Sequence, residues 1–246
     1  MLHSIWITII YQPIYNALVF FTTLASGNVG MAIIILTLVI KIILYPLGKK
    51  AIITQLRTQE LQPKLKEINK IKDRTERGKK TLELYRENKV SPFSSILLLL
   101  VQLPIILALY FVIEKGIAPN TDLLYTVVDF PALVNTDFLG LFNLSERSII
   151  LALLAGITQY FQAVIVSPKI AKKMEGEEED FSDALARNMS MMKYVMPVII
   201  TIFAYQLSGA VALYWAANGV FSIVQELLVR RNYSKQKAYG TYEHTS

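Results

Sequence analysis

Four stretches of this chain are long enough and poor enough in charge to cross a bilayer. Val29–Leu47 (VGMAIIILTLVIKIILYPL) has 19 residues and a single charge, Lys41. Ile96–Ile113 is uncharged and contains Pro104, and Ser148–Ser167 is also uncharged. Tyr194–Val229 runs for 36 residues with only Glu226 charged, and Ser208-Gly209 interrupts it. At 1.5 Å per residue that last run is roughly 54 Å long, twice one crossing. It therefore predicts two short helices joined by a tight turn, 194–208 and 209–229. With 29–47, 92–115 and 148–167, the pattern predicts an all-α membrane protein with five transmembrane helices.

Residues 1–28 are apolar but interrupted. Gln12, Pro13 and Asn16 break the stretch Ile5–Leu24, and Trp6, Tyr11, Tyr15, Phe20 and Phe21 give it an interface-seeking character. No basic leader of a secretory signal precedes it. An amphipathic helix on the membrane surface is the preferred reading, and a sixth span is the alternative.

Between the spans the pattern changes. In 48–91, Leu56, Leu61, Leu65, Ile68 and Ile71 recur at helical spacing, and Leu82 and Tyr85 follow beyond a turn expected at Gly78. The prediction is a cytoplasmic helical hairpin whose first helix Pro63 bends or interrupts. Residues 116–147, with Pro119, Pro131 and several Asp and Asn, read as an irregular loop. In 168–193, the acidic run Met174–Asp183 reads as a solvated linker.

Charge then orients the spans. The segment 48–91 holds 13 of the chain's 25 Lys and Arg, 168–193 holds five and the tail 230–246 holds four. The segment 114–147 holds only Lys115 and Arg147 against five acids, and no basic residue precedes Lys41. Positive residues favour the cytoplasmic side. The N-terminus is therefore expected outside and the C-terminus inside, in a multi-pass plasma membrane protein. The basic excess of the hairpin has two readings, a solvated positive-inside loop or a surface for anionic lipid and ribosomal RNA.

Composition narrows the chemistry. The chain is 53% hydrophobic with a mean hydropathy of +0.41. It has no cysteine, and its two histidines, His3 and His244, stand at the ends. A disulfide framework, a thiolate metal site and a cysteine nucleophile are excluded. No glycine-rich phosphate loop is present, and no cofactor or enzymatic activity is expected.

The chemistry that remains is Lys41. A lysine near a helix centre costs about 2.5–3.5 kcal/mol to insert, and such charges face a bundle interior or water. Lys41 is six residues from Leu47, roughly 9 Å along the helix, so its stem could also snorkel to the headgroups. Groove and snorkel stay balanced on these grounds. Thr37 shares its helical face. Gln102 lies in the second span, Gln159 and Gln162 in the third, and Trp215, Asn218 and Gln225 in the fifth. Interhelical hydrogen bonding or packing accounts for any one of them. No carboxylate is placed to face Lys41 at mid-depth, as a proton-coupled transporter would need, and no filter motif of a channel appears. A small polytopic transporter or channel is the alternative to a wet pocket that receives part of another polypeptide.

Several segments in order resemble the YidC/Oxa/Alb insertase family, from about Ile14 to Arg231. GMAIIILTLVIKIILYPL is similar to the family's first core helix, and LQPKLKEI with LELYRENKVSPF to its cytoplasmic hairpin. VQLPIILALY is similar to its Gln-x-Pro stretch, and YVMPVIITIFAYQLSGAVALYWAANGVFSIVQELLVRR to its closing helix pair. Lys41 stands where the family usually carries arginine, so the charge is kept without the bidentate fork. The periplasmic domain and extra N-terminal span of some members are not expected here, nor is a lipoprotein cysteine, which makes this a minimal form. The resemblance implies a membrane protein insertase and chaperone, acting alone on small clients and with the Sec translocon on larger ones. It implies a hydrated groove open to cytoplasm and lipid but sealed outside. Lys41 would be its central charge and Thr37 a neighbour, with Gln159, Trp215, Gln102 and Asn218 as further lining. The implied partners are nascent membrane proteins, membrane lipids, and ribosomes through the hairpin and basic tail.

Overall fold

In a computed structural model of the chain, residues 6–90, 94–114, 122–167 and 181–238 are described. A π turn, Ile7–Tyr11, leads into helix α1, Gln12–Leu24. Pro13 has no N–H to donate, and just before it the Gln12 N–H reaches back five residues to Ile7 O. Helix α2, Val29–Ile43, begins at Asn28, whose side chain accepts from Met31 N at 2.9 Å. It ends at Leu44, because Pro46 in the first turn of α3, Tyr45–Glu60, cannot continue the hydrogen-bond ladder. The axis bends by 63° at this break. The predicted boundary at 47/48 thus falls inside α3 rather than at the end of the span.

Helix α4, Gln62–Asn69, starts afresh with Pro63 in its first turn, as the sequence predicts. Helix α5, Arg74–Glu87, is capped by Asp73, whose carboxylate accepts from Thr75 N at 2.7 Å. The hairpin therefore turns at 70–73 and not at Gly78, which sits inside α5. A side-chain cap outweighs the roughly 1 kcal/mol that a mid-helix glycine costs. Leu61, Leu65, Leu84 and Val90 form the small core of this hairpin, with Ile68 and Tyr85 against it. Leu82, expected inward, faces out.

Helix α6, Ser94–Glu114, contains Pro104. The described part of the loop that follows, 122–147, is irregular apart from one short hairpin. Strands β1, Asp137–Phe138, and β2, Phe142–Asn143, pair antiparallel. Their turn puts Leu139 and Gly140 at φ +57° and +65°. Positive φ at both central residues suits the twist of a hairpin, but Leu-Gly is not the usual residue pair for it. Helix α7, Ile149–Val166, starts at the Ser148 cap, and α8, Phe181–Gln206, ends just before the predicted break at Ser208-Gly209. Helix α9, Gly209–Ala238, runs 30 residues, well past the predicted end of its span. Of the acidic run Met174–Asp183, all but the first residues of α8 lies outside the described residues.

Among the described residues, three helices are long and apolar enough to cross a membrane: Ile7–Leu24, Ile149–Val166 and Gly209–Ala238. The bent pair α2 and α3 makes a fourth if taken as one span, and Gln102–Ile113 is a shorter apolar helix. Helix α9 is central, touching α2, α3, α6, α7 and α8. Small residues let the backbones close in. A side chain at Gly156 would strike Thr201 of α8, and one at Gly219 would strike Thr158 of α7.

The buried apolar core is not spread along the bundle. It draws on Val29–Leu36 of α2, Ala108–Val112 of α6, Leu151–Ala155 of α7, Ala204 of α8 and Ala210–Ala216 of α9. All lie at the end that carries the 122–147 segment, here the loop end. Tyr11, Ile14, Tyr15, Leu18 and Val19 of the first helix and Phe138 of β1 complete it. Backbone hydrogen bonds tie the same end together. Val29 N donates to Asn135 O at 3.0 Å, and Asn135 N to Gly27 O at 2.8 Å. Gly209 N donates to Glu146 O at 2.6 Å. Toward the opposite, hairpin end, α7 has no buried residue from Ile157 to Val166.

Gly30 packs directly under the Phe138 ring, so no side chain fits there. Gly30→Leu should destabilise the protein by about 1–3 kcal/mol through overpacking. Thermal unfolding in detergent, followed by tryptophan fluorescence, checks this; an unchanged midpoint would mean that the hairpin does not seal the loop end.

Candidate functional site

Lys41 lies in the last turn of α2, where a cation is favoured by the helix dipole. Its Nζ donates to Ser222 Oγ of α9 at 2.7 Å. The Ser222 hydroxyl in turn donates to Asn218 O, one turn back along α9, at 2.7 Å. The Ser222 proton is thus committed to a carbonyl, and a lone pair is left to face the ammonium. Lys41 makes no ion pair among the described residues. A hydrogen bond to a charged group contributes about 1.5–3 kcal/mol, similar to the cost of placing the lysine in a span. One such bond satisfies one of three N–H groups, so the other two require water or an incoming acceptor.

The remaining predicted residues sit around this pair in different ways. Thr37 is one turn from Lys41 toward the loop end. It is 1% exposed, and its hydroxyl donates to Ile33 O at 2.6 Å on its own helix. It therefore packs against the core and offers no free hydroxyl. Gln102 donates through Nε2 to the hydroxyl of Tyr214, which joins α6 to α9. Tyr214 is fully buried, and Trp215 beside it packs half-buried on the same core. This layer separates the packed loop end from the polar hairpin end. Gln159 is half-buried next to Thr158, which abuts Gly219, so it lies near the level of Asn218. Asn218 enters through its backbone carbonyl.

Gln225 braces the bend between α2 and α3. Its Nε2 donates to Tyr45 O at 3.2 Å, and Gly48 leaves room for its amide. One turn beyond Ser222, Glu226 is 5% exposed and accepts from Arg230 Nε at 2.7 Å. Farther along, Glu60 of α3 accepts from Lys237 at 2.8 Å and from the Tyr233 hydroxyl at 3.3 Å. Gln59 donates to Val166 O at the end of α7 at 3.0 Å. Helix α3 thus runs from the end of α2 to α7 and α9 across the hairpin end of the bundle.

Ser222 was not among the residues singled out from sequence. Its signal was present as Asn218, Ser222 and Glu226, spaced by four along α9 and so on one face. Tyr214 carried no such signal, because its partner comes from another helix.

A bundle of apolar helices, packed closely at one end and carrying the Lys41–Ser222 pair toward the other, is that of a helical membrane protein. The family described as 60Kd inner membrane protein matches residues 20–237. A relative named membrane protein insertase YidC, from Oceanobacillus iheyensis, is 30% identical over 234 residues, covering 93% of this chain and 84% of the relative. Another of that name, from Clostridium tetani, is 30% identical over 211 residues, covering 85% of this chain and 84% of its own length. Membrane protein insertase YidC 2 of Listeria innocua is 29% identical over 239 residues, covering 94% and 74%. The chain belongs to the YidC/Oxa/Alb family.

The Glu226–Arg230 pair offers a test of how the polar face is held. Glu226→Ala leaves a largely buried guanidinium without its partner and should cost about 3–5 kcal/mol. The double replacement Glu226→Leu with Arg230→Met should recover most of that loss. Thermal unfolding of the three proteins in the same detergent decides it, and equal loss in the single and double variants would contradict the pairing.

Proposed function

We propose that this protein inserts membrane proteins, using Lys41 as a fixed positive charge in a hydrated groove open to cytoplasm and lipid. The observation that carries the proposal is the Lys41–Ser222 contact without a carboxylate partner, below a packed layer that closes the other end. The polar N-terminal or loop segment of a client partly crosses the bilayer in the groove, and Lys41 attracts acidic residues in it. The apolar part of the client then passes into lipid along the exposed faces of the helices. Apolar burial supplies the driving free energy.

Five spans with the N-terminus outside accompany this reading. In it α2, α6, α7, α8 and α9 cross, and the hairpin α4–α5 and the end of α9 lie in the cytoplasm. The first helix then rests on the outer surface. Its contacts support that placement. Gln12 and Asn16 donate to Leu123 O at 3.2 and 2.7 Å, and Thr23 donates to Asp129 O at 3.2 Å. A segment without regular secondary structure, 122–130, thus follows the helix along most of its length. Lipid-exposed irregular backbone is not tolerated within the hydrocarbon, so helix and segment belong together at the interface. The inference for partners is nascent membrane proteins and lipids, with the Sec translocon for larger clients. Ribosomes would meet the hairpin, 49–90, and the basic tail.

Three substitutions test the role of the charge in proteoliposomes. Lys41→Ala should reduce insertion of clients with acidic translocated segments by about tenfold, the equivalent of one lost charged hydrogen bond. Lys41→Arg should preserve insertion, since arginine keeps the charge. Lys41→Glu should abolish it for those clients. Normal insertion by Lys41→Glu would end the charge-based account.

A further inference from the structure

A lysine on a four-carbon stem is free to leave mid-groove. Lys41 is in the last turn of α2, within reach of the hairpin-end water by extending its stem. Instead its Nζ turns across to α9 and meets Ser222 Oγ at 2.7 Å. The serine is 8% exposed, and its proton is held on Asn218 O.

We propose that Ser222 is a positioning residue. It holds the Lys41 ammonium at the level of Asn218 and prevents it from snorkelling, so that the charge stays where a client's carboxylate must pass. This rests on the insertase reading of the site. A serine hydroxyl on a lysine amine is also the geometry of a Ser-Lys hydrolase dyad. Ser222 lies in mid-helix with its neighbouring N–H groups inside the α9 ladder, so no backbone donors stand ready for an oxyanion. The pair therefore anchors a charge rather than activating a nucleophile. An arginine would present a five-donor fork that can find several acceptors. A lysine has a compact head, and here one neutral hydroxyl on the facing helix fixes it.

The test uses the full chain in liposomes with two clients. They differ only in the translocated segment, one carrying aspartates and the other asparagines at the same places. Ser222→Ala should lower insertion of the aspartate client about tenfold and leave the asparagine client unchanged. Ser222→Thr, which keeps the hydroxyl, should restore both. Acylation of Lys41 by a water-soluble amine reagent, read on its own peptide by mass spectrometry, should rise several-fold in Ser222→Ala and not in Ser222→Thr. Equal behaviour of the two clients in Ser222→Ala, whether both unchanged or both reduced, overturns the positioning role. Should the wild-type protein insert neither client, the insertase reading fails. The anchor is then judged on the acylation of Lys41 alone, and unchanged acylation in Ser222→Ala overturns it.

Discussion

One ammonium set in an apolar helix constrains how the rest of this structure packs. Lys41 is placed among apolar residues at a cost of about 2.5–3.5 kcal/mol, and its Ser222 hydrogen bond returns a comparable amount. Two of its three N–H groups are left over. Burying them dry would cost more than the fold can spare, so packing around Lys41 must stay incomplete. The described residues follow that rule. The large buried apolar cluster fills one end of the bundle, and past the layer of Leu36, Thr37 and Tyr214 buried apolar side chains are few, among them Ala51, Ile52 and Val229. Past it, α9 turns Ser222 and Glu226 to its buried face, and α7 buries nothing from Ile157 on.

An asymmetric bundle needs stability from somewhere other than a continuous core. Here the loop end supplies it. Phe138 seats on Gly30, Leu144 and the first helix close the sides, and backbone hydrogen bonds join the α1–α2 turn, the β1–β2 segment and the start of α9. At the other end, α3 bends away from α2 by 63°, buries Ala51 and Ile52, and makes polar contacts through Gln225, Gln59 and Glu60. These are polar contacts, partly exposed, and surface pairs of that kind are worth little.

Much of the helical order was legible because charge and hydrophobicity are strong local signals. Pro63 and Ser208-Gly209 marked element ends in the sequence, whereas the Asn28 and Ser148 caps and the Pro46 break came to light only in the structure. The errors arose where two signals competed locally. Gly78 looked like the hairpin turn, but Asp73 offered a better cap for α5. The β1–β2 hairpin rests on a Leu-Gly pair at positive φ, which turn preferences do not suggest. The site was legible in part. An isolated lysine announces itself in any apolar helix. That its partner is Ser222, 181 residues away, depends on how α2 and α9 cross, and a sequence pattern along one helix does not contain that. Thr37 shows the reverse case, a polar residue on the right face whose hydroxyl is spent on its own helix.

The central claim is that a client passes through the polar space beside Lys41. Site-specific photo-crosslinking from positions 37, 41, 159 and 215 to a stalled nascent membrane protein tests it most directly. Crosslinks from 41, 159 and 215 to the client's polar translocated segment, with few from the buried position 37 and none to that segment from the exposed positions Ile42 and Leu153, are predicted. Crosslinks to that segment only from the exposed positions, with none beside Lys41, would contradict the account.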